Sequence, residues 1–98
     1  MSETILDRQD IFIAIADELY RAYNKHGKEK WGRHEFYAVL KEEVDEVWDA
    51  IKKDRPLKDV VPEIIQVMAV CARYLETGDR YRGIISTNTL KKDNQNDL

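Results

Sequence analysis

The sequence predicts an all-α fold, a bundle of three main helices, on three observations. Apolar residues recur at helical spacing in three segments, glycine and proline fall between those segments, and only a trivial strand is expected, around Ile84. The first helix is expected over residues 5–24, where Ile5, Phe12, Ala16, Leu19, Tyr20 and Tyr23 fall on one stripe at 100° per residue, with Thr4 or Asp7 able to cap its start. Gly27 and Gly32 then mark a loop that also carries Lys25, Lys28, Lys30 and Arg33, read as the one basic cluster of the chain.

The second helix is expected over residues 34–54, with Phe36, Tyr37, Leu40, Val44, Val47, Trp48 and Ile51 as its buried face. Pro56 ends it by disfavouring helical geometry at Arg55. The third runs over residues 58–77, with Pro62 placed in the first turn and Gly78 as the stop. Val60, Val61, Ile64, Ile65, Val67, Met68, Val70, Cys71, Ala72, Tyr74 and Leu75 cover most of its circumference, so it should be the central helix. Only Gln66, Ala69, Arg73 and Glu76 form a narrow polar or small strip. Residues 1–82 read as one helical domain and residues 83–98 as a polar tail too poor in apolar residues to fold alone.

Ninety-eight residues, 43% apolar and 36% charged, fit a single domain whose small core gains from oligomerisation. Because two long helices are too few to cover an apolar third, two chains are expected to complete the bundle, as a dimer or within a tetramer. A net charge of -3 is the wrong sign for general nucleic-acid or anionic-membrane binding. The longest apolar runs are six residues, against the ~18 needed to span a membrane, so no membrane helix is expected. Glu3 and Asp7 argue against a targeting peptide, and the lone Cys71 fits a reducing, cytoplasmic setting.

The acids of the second helix are not equivalent. With Glu42 as reference, Asp45 and Asp49 lie opposite the apolar face, while Glu46 is turned about 40° and Glu43 about 100° toward it. Glu43 and Glu46 are thus neighbours on the flank where another helix packs, and the third helix offers Glu63 and Gln66 at the same i, i+3 spacing. Glu63 falls among Val67, Val70 and Tyr74, where an unpaired carboxylate is costly and calls for a proton, a cationic side chain or a metal. Facing pairs of this kind build divalent sites in bundles, and oxygen-only ligands favour Mg or Mn over Zn. On spacing alone the same acids also read as a solvated face, with Glu63 matched by an arginine or by the helix dipole.

Leu40-Lys-Glu42-Glu43-Val-Asp-Glu46-Val, and then Glu63-Ile-Ile-Gln66 with sixteen residues between Glu46 and Glu63, resembles the MazG-like all-α nucleoside triphosphate pyrophosphohydrolases. Their signature is E-E-x-x-E, a spacer, then E-x-x-D on two antiparallel helices, and the likeness covers about residues 30–77, including an upstream Trp31-Gly32 element. It implies a bundle completed by dimerisation into a four-helix core. It also implies Mg-dependent cleavage of a nucleoside triphosphate to a monophosphate and pyrophosphate, with Mn as a possible substitute. Carried over by position, Glu43, Glu46, Glu63 and Gln66 are the metal ligands and Glu42 the adjoining catalytic acid. Gln66 departs from the signature aspartate. Lys28, Lys30 and Arg33 are the local candidates to hold the phosphates, and Trp31 to stack on the base. A noncatalytic nucleotide-binding or helical dimerisation module fits the same pattern, with Gln66 as its mark. A helix-turn-helix regulator is a third reading, opposed by the acidic helix behind the basic loop.

Overall fold

The computed structural model describes residues 6–78, and among these it contains three α-helices and no strand: α1 (Arg8–His26), α2 (Arg33–Lys52) and α3 (Leu57–Thr77). The start of α1 is set by Asp7, whose carboxylate accepts the Asp10 backbone N–H at 2.8 Å, so the helix begins three residues later than the apolar stripe predicts. It ends where Gly27 adopts φ 84°, a left-handed value that favours glycine, and donates its N–H to the Tyr23 carbonyl at 2.8 Å.

A tight turn over residues 53–56 reverses the chain. Lys53 and Arg55 donate their backbone N–H groups to the carbonyls of Asp49 and Ala50, and the Arg55 guanidinium reaches forward to the Asp59 carboxylate at 3.1 Å. The helices α2 and α3 are therefore antiparallel: Phe36 near the start of α2 stacks on Tyr74 near the end of α3, ring centres 4.3 Å apart, while Glu46 meets Glu63 closer to the turn. Pro62 is the sixth residue of α3, beyond the expected first turn, so its ring costs the helix the bond that would have reached the Lys58 carbonyl.

The helix α3 packs against both α2 and α1, while the backbones of α1 and α2 stand apart and their side chains meet only around a shared cavity. Its central place follows from its wide apolar circumference. Tyr23 ties α1 to it, its hydroxyl donating to Glu76 at 2.8 Å; burial and that carboxylate push the phenol up to about 12.

Which apolar residues are enclosed differs from the sequence reading. On α1 the half-buried residues are Ile11, Ala14, Ile15, Leu19, Ala22 and Tyr23, whereas Phe12, Ala16 and Tyr20 of the expected stripe face outward. Residues 11–16 are all apolar, so hydropathy does not choose between two phases 100° apart. On α2 the expected core residues Tyr37, Val44, Trp48 and Ile51 are exposed, Trp48 at 55%. Ile64, Met68 and Leu75 of α3 are exposed as well, whereas Ala69 (5% exposed) and Arg73 (7%) of its narrow strip are buried. Among the described residues no large side chain is fully enclosed. The strand around Ile84 and the polar tail lie outside the described residues.

Candidate functional site

The antiparallel pairing of α2 and α3 brings Glu43 and Glu46 opposite Glu63, with one carboxylate oxygen from each lying within 4.8 Å of the others. Two oxygens bound to one Mg at ~2.1 Å stand about 3 Å apart when adjacent and about 4.2 Å when opposite, so small rotamer shifts close the set on a cation. The donors are all oxygen, as a hard divalent ion requires. Glu43 is half-buried, and its Oε1 is shielded from solvent without a hydrogen-bond partner. Burial, then repulsion from Glu46, Glu63 and Glu42, holds its carboxyl above the ordinary range. Glu46 is also raised, by burial and then by Glu63, with Asp49 adding to the repulsion. Such a cluster takes up a proton or a cation more readily than an isolated carboxylate.

The remaining acids of α2 behave as their phase predicts. Asp45 pairs with Lys41 at 3.1 Å and Asp49 with Lys52 at 3.4 Å, both on the exposed side. Glu42 is exposed and close enough to act on Glu43. Gln66 is half-buried and lines a cavity together with Glu43, which places it on the α1 side of the carboxylate cluster.

Two cavities flank that cluster. The first, of about 490 Å³, lies between α1 and α3 and is walled by Glu18, Arg21, Trp31, Glu43, Gln66 and Arg73 among others. The second, of about 450 Å³, lies beside the α2–α3 turn and is lined by Glu46 and Glu63 together with Lys53, Arg55 and Lys58. The acids form the ridge between them.

Of the four residues expected to hold substrate, Trp31 alone lines the first cavity, and there the Arg73 guanidinium covers its ring at 4.1 Å. Lys28 instead lies over Tyr23, with Nζ 5.1 Å from the ring centre. Lys28, Lys30 and Arg33 are exposed and line neither cavity. The loop is not the one basic cluster, since Lys53, Arg55 and Lys58 gather beside the acids. Their signal was present in the run Lys52-Lys53-Asp54-Arg55-Pro56-Leu57-Lys58, but a turn places those cations against the acids only once the hairpin has closed. His26 lines the first cavity too, although its sequence neighbours give no hint of a site. None of the described helices is long and apolar enough to cross a membrane. No family model, curated protein or solved structure matches this chain.

Proposed function

We propose that this protein is a Mg-dependent nucleoside triphosphate pyrophosphohydrolase that releases a nucleoside monophosphate and pyrophosphate. The observation that carries the reading is the convergence of Glu43, Glu46 and Glu63 within 4.8 Å across two antiparallel helices, in the order that resembles the MazG-like signature. These three carboxylates would hold the cation, with the Gln66 amide oxygen as a neutral neighbour. Mg, or Mn in its place, would screen phosphate charge and lower the pKa of the attacking water. Water adds to the α-phosphorus, the bond from that phosphorus to the α–β bridging oxygen breaks, and pyrophosphate leaves carrying the oxygen; Glu42 takes the proton from the water. Lys53 and Lys58, which line the cavity on the far side of the acids, would balance the leaving charge.

The reading includes a homo-oligomer. Tyr37, Val44, Trp48 and Ile51 of α2, with Ile64 and Met68 of α3, form an exposed apolar surface that a second copy, in a dimer or tetramer, would cover to complete a four-helix core. A half-buried free thiol at Cys71 fits a cytoplasmic setting. Gln66 favours a second reading, a nucleotide-binding module without turnover, because an amide brings no charge to a hard cation.

A panel of nucleoside triphosphates with Mg or Mn, assayed for monophosphate and pyrophosphate, tests the proposal. Release of both products by the wild-type chain, abolished by Glu63→Gln, supports it. An inactive wild type with an active Gln66→Asp variant establishes the second reading instead.

A further inference from the structure

Arg73 is the most unusual side chain of the fold. It is 7% exposed, on the strip of α3 that faces α1, and it lines the α1–α3 cavity. Its Nη2 donates to the Glu29 carbonyl at 3.4 Å, beyond the ~2.7–3.2 Å of a good bond, and its Nε has no partner. A buried guanidinium donor left unmatched costs free energy until an acceptor meets it. The plane of the group is already supported, by Trp31 at 4.1 Å and Tyr23 at 5.8 Å, so the need is for acceptors at its edge.

We propose that the cavity between α1 and α3 is a nucleobase pocket, and that Arg73 is its specificity-determining residue, reading a base that offers two adjacent acceptors. This deepens the nucleotide reading above and rests on it for the class of ligand. The cavity, about 490 Å³, has the size of a small-molecule site, and Leu19, Ala22, Ala69 and Val70 give it apolar walls suited to a flat ring. An inorganic anion fits worse, because the cavity is not a cationic site: Glu18, Glu29 and Glu43 offset Arg21, Lys25 and Arg73, and Arg21 is already neutralised by Glu18. Glu43 belongs to both the cavity and the carboxylate cluster, so a base held here points its phosphates toward the acids.

The planar guanidinium presents Nε–H and Nη2–H side by side, a fork that matches two neighbouring acceptors. Guanine offers O6 and N7, and cytosine offers O2 and N3; adenine and uracil have no such adjacent pair. In the free chain the Glu29 carbonyl is the one acceptor at this edge among the described residues, so base entry exchanges that long contact for two good ones.

The test uses the ¹⁵N-labelled full chain with Mg present to screen the nucleotide phosphate from the acids, titrated with GMP, CMP, AMP, UMP and inorganic phosphate, reading the Nε–H signal of Arg73 assigned through Arg73→Lys. GMP or CMP should move that signal saturably, with AMP and UMP weaker by about tenfold or more and phosphate without effect. The two arms separate a purine from a pyrimidine pocket. Equal response to all four nucleotides, no response, or a response to phosphate alone overturns the proposal. Arg73→Lys keeps the charge and loses the fork, so nucleotide binding followed by Trp31 fluorescence should weaken by about tenfold with helix content unchanged. If that variant does not fold, the wild-type titration decides. Monophosphates bypass turnover. A chain that binds GMP or CMP yet hydrolyses no triphosphate keeps the pocket and loses the enzyme; one that hydrolyses all triphosphates with a silent Arg73 does the reverse.

Discussion

Replacing Glu63 by Gln removes one of three charges held within 4.8 Å, and with it two of the three repulsive pairs. At that separation each pair of full charges costs about 0.9 kcal/mol in a water-like dielectric, which suits a cluster whose Glu46 is exposed. Two pairs come to about 2 kcal/mol, and shared protons and salt reduce the gain to about 1 kcal/mol. In a domain of this size that raises Tm by about 4–8 °C in metal-free buffer. The wild-type chain should respond to Mg instead. With a Kd of about 1 mM, about 10 mM Mg stabilises the folded chain by about 1.4 kcal/mol, a rise of about 6–11 °C that Glu63→Gln should lack. Thermal melts followed by circular dichroism, with and without Mg, measure both effects. The reasoning is refuted if Glu63→Gln melts lower than wild type without metal and still gains stability from Mg.

Three further outcomes follow from the same geometry. Because the Glu43 and Glu46 carboxyls are raised in the folded state above their ordinary 4.5, the folded chain holds more protons than the unfolded one; metal-free stability should fall as pH rises from about 4.5 through the raised values. Urea titrations across that window should show the slope, and Glu43→Gln should flatten it. Trp48→Lys and Ile51→Glu place charge on the exposed apolar face of α2 and should shift sedimentation equilibrium toward the monomer with helix content retained. Val60→Ala removes two methyl groups at a buried position of α3 that lines neither cavity and should lower stability by about 1–3 kcal/mol, read as a lower urea midpoint at unchanged slope.

The three helices and their breaks were legible because each rests on local rules. Asp7 caps a helix, Gly27 and Gly78 stop one, and Pro56 separates two, all through contacts within a few residues. The carboxylate cluster was legible only in part: helical phase puts Glu43 and Glu46 on one flank, but spacing alone read equally as a solvated face. The likeness to the E-E-x-x-E signature was what joined them to Glu63, which the antiparallel return of α3 places opposite. Rotation of each helix about its own axis was not. Residues 11–16 are apolar on every side, and α2 carries an apolar stripe wider than the one neighbour α3 can cover, so only packing decides that Ile11 and Ile15 turn inward while Phe12 and Trp48 do not. Arg73 shows the same limit most sharply. By composition it belongs to a thin polar strip on an apolar helix, yet the strip is the side against which α1 packs, and Trp31, forty-two residues earlier, covers its guanidinium. The sequence by itself determined the helices, where short-range geometry suffices, and left the acids of α2 and α3 open between a solvated face and a shared acidic ridge. Tertiary structure alone decided the cavities on either side of that ridge, because their walls are drawn from segments that meet only when the chain folds.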